Sequence, residues 1–188
     1  MLVLLKRTQI GLGLVEVMIV VVVIVFAMAL GLPSYQIWLE NTRIRNAAEA
    51  IQAGLQKARV EAIQRNASVQ FVLVGENSAW TVGCVIPIGD LDGDGAPDCP
   101  DLIESRAASE GASVNITVTA TPAASTTITF TSVGLLANPP IPFTQVDIDS
   151  SKLSAADSRD LRVTVGAGGN TRMCDPDVGL SVTDPRKC

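Results

Sequence analysis

The 188-residue chain has no histidine. That absence removes the side chain most often used as a general base near neutral pH and the commonest imidazole ligand for a metal. The patterns G-x-S-x-G, H-E-x-x-H and G-x-x-x-x-G-K-[ST] are missing as well. No hydrolase elbow, zinc-protease helix or phosphate loop is therefore written into the sequence. Charge is scarce at the amino end, where Lys6 and Arg7 are the only charged residues before a long apolar run. The expectation is a protein without enzymatic activity and without a required cofactor.

What the chain does have is GLGLVEVMIVVVVIVFAMALG over residues 11–31. From Leu12 to Leu32 it makes about 30 Å of helix, one hydrocarbon thickness. Lys6 and Arg7 stand directly before it, which places the amino terminus in the cytoplasm and the remainder across the membrane. A secretory signal peptide needs a small-x-small cleavage site. Ala27, Met28 and Ala29 have that form, but helix-forming sequence continues past Pro33. Glu16 is the single carboxylate in the run. A carboxylate in lipid costs several kcal/mol unless it is paired or neutralised. Glu16 is therefore expected to have a function.

Gly31 and Pro33 interrupt the run, and a helical pattern resumes at once. Ile37, Ile44, Ala48, Ile51, Leu55, Ala58 and Ala62 recur at three-, four- or seven-residue spacings and form an apolar stripe. Glu40, Arg43, Glu49, Lys57 and Glu61 fall mostly on other faces. One kinked helix is expected over residues 12–66, with a transmembrane half at 12–32, an amphipathic half at 33–66, and Asn66 as its terminator. Beyond it the period changes from 3.6 to 2. Residues 68–74, 79–88, 114–119, 126–131 and 161–165 read as strands, with 145–148 and 179–183 as shorter candidates. The fold class is α+β: a long kinked helix, transmembrane then amphipathic, packed on an antiparallel β-sheet domain at 67–188.

Gly11-Leu12-Gly13-Leu14-Val15-Glu16, followed by Val17-Met18-Ile19-Val20, resembles the class III leader junction of type IV prepilins and type II secretion pseudopilins. The resemblance implies that an inner-membrane prepilin peptidase removes residues 1–11 as a leader. It cuts after Gly11 and methylates the new amino terminus at Leu12. Glu16 then matches the family's fifth-position glutamate, while Gly13 stands where Thr is common. Loss of Lys6 and Arg7 takes the formal charge from −5 to −7. In a stack of parallel helices, the Leu12 ammonium and the Glu16 carboxylate satisfy each other's desolvation, between subunits or within one.

Trp80-Thr81-Val82-Gly83-Cys84, Thr171-Arg172-Met173-Cys174-Asp175-Pro176 and the closing Asp184-Pro185-Arg186-Lys187-Cys188 resemble H-type pseudopilins and FimT-like minor pilins. The resemblance implies an initiating or tip subunit that joins other minor pilins or pseudopilins to prime a filament of the major pilin. It also implies a single-pass protein of the cell inner membrane with a periplasmic carboxyl-terminal domain. The alternative is an H-type pseudopilin of a type II secretion system. An oxidising compartment favours disulfides. Pairing Cys84 with Cys99 and Cys174 with Cys188 would close two short loops, although the sequence alone permits three pairings.

Two charged segments point to ligands. Some FimT-like minor pilins resemble DNA receptors that use a basic G-R-x-R segment before the tail cysteine. Here that segment reads Gly169-Asn170-Thr171-Arg172, with Asn170 in place of the first arginine. Arg172, Arg186 and Lys187 are the candidate DNA-phosphate contacts, opposed by the negative net charge. The second segment follows D-x-D-x-D-G. Asp90, Asp92 and Asp94, with Asp98 and Asp101 further on, are candidate calcium ligands around a glycine turn at Gly95. An Asx-rich turn without metal is the alternative.

Overall fold

The computed structural model describes residues 13–91, 93, 95–110, 113–123, 125–138 and 141–188. Helix α1 runs Leu14–Gln64 with Pro33 inside it. Pro33 has no amide hydrogen to give to the preceding turn, which makes this a kinked helix. The chain divides into two compact units after Trp38.

In the first unit, every described side chain from 13 to 36 is exposed. An 18-residue window of α1 has a mean hydropathy of 2.9 and contains no buried residue. A helix that is apolar all round and covered by nothing is suited, by length and composition, to cross a membrane.

The second unit uses the other half of α1 differently. Ile44, Ala48, Ile51, Leu55, Ala58 and Ala62 are fully buried, as a stripe at helical spacing requires. The helix ends in a Schellman motif at Asn66, whose φ is 48°. The Ala67 amide donates to the Ala62 carbonyl (3.2 Å) and the Asn66 amide to the Ile63 carbonyl (3.3 Å). Glu40 and Glu61, which the pattern placed on mostly polar faces, are buried. Each is tolerated because a cation reaches it. Arg43 lies 2.6 Å from Glu40, while Lys57 and Arg65 lie 3.0 and 2.7 Å from Glu61. Burial pushes the Glu61 carboxyl up, but hydrogen bonds from Lys57 and Arg65 outweigh it and hold the group below its ordinary value.

The strands are β1 (Val69–Val74), β2 (Ala79–Cys84), β3 (Glu104–Arg106), β4 (Ile116–Thr121), β5 (Thr127–Phe130), β6 (Gln145–Ser150), β7 (Leu161–Val165) and β8 (Thr171–Cys174). They form two four-stranded sheets, ordered β3-β2-β1-β5 and β4-β6-β7-β8. All pairs are antiparallel. The sequence pattern had implied one sheet. Strand β4 ends at Thr121, where Pro122 lacks the amide that a continuing ladder needs, and β5 pairs instead with β1 in the other sheet.

Both sheets and α1 share one core, in which Phe71, Phe130, Phe143, Ile128, Val146, Ile148 and Val163 are fully buried. Gly54 lets the helix lie close against the sheet, since a Cβ there would lie 2.7 Å from the Phe71 ring and 2.9 Å from Trp80. Four segments differ from the sequence pattern. β2 stops at Cys84, short of Pro87; residues 179–183 form no strand; and β3 and β8 are additional.

Candidate functional site

Gly11 and Leu12, the expected cleavage and methylation positions, lie outside the described residues, as does the rest of 1–11. Glu16 lies in the first turn of α1, where a carboxylate faces the unsatisfied amides and positive end of the helix dipole. Its side chain is exposed, and among the described residues no ion pair reaches it. A neighbouring cation is what that position can accept.

The acidic loop hangs from the end of β2. The Cys84 amide donates to the Pro100 carbonyl (3.0 Å), and Ile88 and Cys99 exchange backbone bonds of 2.8 and 3.1 Å. Cys84 and Cys99 are joined, with Cα atoms 5.8 Å apart, and both are buried. Arg65 donates to the Asp98 carbonyl (2.6 Å), tying the end of α1 to this loop. At the tip, the Asp90 carboxylate accepts the amides of Gly93 (2.6 Å) and Gly95 (2.8 Å), while Asp98 accepts that of Leu91 (2.9 Å). Gly93 and Gly95 have φ of 80° and 91°, which explains why glycine stands at both positions. Asp92 and Asp94 lie outside the described residues. Among the described residues no group of three or more His, Cys, Asp or Glu side chains is arranged to hold a metal. The carboxylates of Asp90 and Asp98 serve their own loop's amides, as in an Asx turn.

The tail continues from β8. Cys174 and Cys188 are joined, with Cα atoms 5.1 Å apart. The Asp175 amide donates to the Arg186 carbonyl (2.7 Å) and the Cys188 amide to the Asp175 carbonyl (3.0 Å). The structure brings Arg172, Arg186 and Lys187 into this one segment, and each has an acceptor within the chain. Arg172 donates to the carbonyls of Pro185 and Lys187, both at 3.0 Å. The Lys187 ammonium donates to the Leu180 carbonyl (2.8 Å). Arg186 grips both oxygens of Asp184 (3.1 and 2.8 Å), and that guanidinium holds the Asp184 carboxyl down at about 2. Phosphate would have to compete with these partners. The sequence pattern missed this clamp because it joins Arg172 to carbonyls 13 and 15 residues away.

Beside the tail lies a cleft of about 620 Å³ lined by Asp147, Asp149, Ser158, Asp160, Arg162 and Asp175 among others. Arg162 forms a two-point pair with Asp147. Ser158 lies 2.7 Å from both Asp149 and Asp160. Burial and the neighbouring Asp149 push the Asp160 carboxyl up. Asp149 is held below its ordinary value because, although burial raises it, its hydrogen bonds outweigh that cost.

Residues 47–169, which carry most of the stripe and most of both sheets, match the family model described as Type II transport protein GspH. The chain belongs to the GspH family. Two crystal forms of the type IV minor pilin FimU from Pseudomonas aeruginosa are also similar to it. One has 19% identity and a TM-score of 0.49, covering 72% of this chain and 91% of FimU. The other has 20% identity and a TM-score of 0.45, covering 69% and 90%. No curated protein matches the sequence. The match places the chain in the family of minor pilins and pseudopilins.

Proposed function

We propose that this GspH-family protein is a minor type IV pilin that contributes to initiation or the tip of pilus assembly. Residues 12–32 anchor it in the cell inner membrane with its amino terminus cytoplasmic, and residues 67–188 form its periplasmic domain. One observation carries this reading: a single helix begins as an uncovered apolar span with one carboxylate and ends as a stripe buried in a β-rich core. A chain built only to stay in the membrane gains nothing from Glu16. A chain that must join other helices gains a site for a neighbour's ammonium, which prepilin peptidase would supply as N-methylated Leu12 after cutting behind Gly11. Both cystines would form in the oxidising periplasm.

Mass spectrometry of the mature protein from membranes tests the processing step. The expected amino terminus is N-methyl-Leu12; an uncut chain, or one starting after Ala29, contradicts it. The family's description as a type II transport protein favours a second reading, an H-type pseudopilin of a secretion system. Crosslinking in cells separates the two, since capture with minor and major pilins supports the pilus and capture with secretion pseudopilins supports the alternative.

A further inference from the structure

Tyr35 and Trp38 stand three residues apart on α1, with ring centroids 5.8 Å apart and ring planes tilted by 31°. Both are exposed, at 57% and 60%. The apolar run ends just before them at Leu32, and Ser34 and Gln36 bring the first polar side chains after it. Tyr35 is the sole tyrosine of the chain. The other tryptophan, Trp80, is buried against Phe71. An aromatic ring with one polar N–H or O–H is at its most stable where hydrocarbon meets water.

We propose that Tyr35 and Trp38 form a depth anchor in the periplasmic headgroup layer of the bilayer, an inference that rests on the membrane-anchor reading above. The anchor has a consequence for Glu16. The 22-residue rise from Glu16 to Trp38 spans about 33 Å of helix, close to one hydrocarbon thickness of about 30 Å. With Trp38 in the headgroup layer, Glu16 lies within about 6 Å of the opposite boundary rather than at the midplane. In the lone subunit its carboxylate then stays in reach of water and headgroups. Desolvation of Glu16 begins only when the helix leaves the bilayer for a stack of other helices, where an ammonium is at hand. The aromatic pair thus keeps the carboxylate at low cost until assembly.

The full-length protein with Trp80→Phe has Trp38 as its only tryptophan. Trp38→Phe leaves Trp80 alone as the control. If Trp80→Phe fails to fold, the difference between wild type and Trp38→Phe reports the same ring. Each protein is reconstituted into phosphatidylcholine vesicles brominated near either the glycerol end or the methyl end of the acyl chain. Flotation with the vesicles tests the anchor reading by itself. The proposal predicts that Trp38 is quenched at least about twofold more by the shallow bromines than by the deep ones, and Trp80 by neither. In a chain that floats, equal or deeper quenching puts the ring inside the hydrocarbon, and no quenching puts it in water or under a neighbouring helix. Either result overturns the depth anchor while leaving the membrane anchor standing. A chain that does not float overturns both.

Discussion

The loop closed by Cys84 and Cys99 and the tail closed by Cys174 and Cys188 are almost equal in span, at 15 and 14 residues, but they are held by opposite chemistry. In the first, Asp90 and Asp98 accept amides of their own backbone, and both cysteines lie in the core. In the second, Arg172 and Lys187 donate to carbonyls of their own backbone, and Cys188 is exposed. The acidic loop therefore leans on the core, and the basic tail leans on itself. A turn-rich segment with few ladder bonds must satisfy its amides and carbonyls somehow. Charged side chains do that well, and the same charges make each segment read as a ligand site.

Removing the two cystines should break the symmetry most visibly. The Cys84→Ala/Cys99→Ala pair loses both loop closure and buried packing, at about 3–5 kcal/mol in urea unfolding. Cys174→Ser with Cys188→Ser should cost less, about 2–3 kcal/mol, mainly through lost loop closure. Equal losses would mean that the tail is as deeply built into the core as the acidic loop.

Single charges sharpen the comparison at a smaller scale. Asp90→Ala should cost about 1 kcal/mol by orphaning two amides, and Arg172→Ala slightly less because it frees carbonyls that water reaches. Hydrogen exchange should rise at Gly93 and Gly95 in the first variant and at Asp175 and Cys188 in the second. Exchange that rises in both segments for either variant would show that the two are coupled. Calcium should leave the melting temperature of the wild type unchanged if Asp90 and Asp98 remain committed to amides. DNA affinity located in Arg172, Arg186 and Lys187 would show that phosphate displaces the tail's own acceptors, and would fall steeply with salt.

The smallest effect is pH dependence in the tail. The Asp184 carboxyl is held at about 2, below its ordinary 3.8, by hydrogen bonds from Arg186. Folding therefore disfavours its proton, so the contribution is complete above pH 4 and fades as pH falls toward 2. The pair is exposed and screened by salt. An NMR titration of the tail amides should show the transition without global unfolding.

The half of the fold governed by local periodicity was legible in the sequence. The stripe from Ile44 to Ala62 repeats with the helix, and Asn66 tolerates the left-handed conformation that ends it. β1 and β7 alternate or are β-branched enough to announce themselves. β3 and β8 are not, because Glu104-Ser105-Arg106 and Thr171-Arg172-Met173-Cys174 have no alternating apolar face and become strands only by pairing with β2 and β7. Residues 179–183 carry the composition of a strand, yet Asp177 caps the Gly179 amide and Leu180 gives its carbonyl to Lys187. The buried state of Glu61 was hidden for a related reason. Its position on a helix face is local, but its burial depends on the core and on Lys57 and Arg65 reaching back to it. At the amino end, motif chemistry alone singled out Glu16; packing adds nothing there, because no residue of the apolar window of α1 is buried.

The central claim is that Glu16 serves assembly rather than anchoring, and Glu16→Ala in the full-length protein tests it most directly. The substitution makes the span more apolar, so the account predicts wild-type abundance in the inner membrane. Incorporation into the assembled pilus or pseudopilus fraction should fall at least about tenfold, corresponding to loss of a partly desolvated ion pair. Normal incorporation at wild-type abundance would contradict the account.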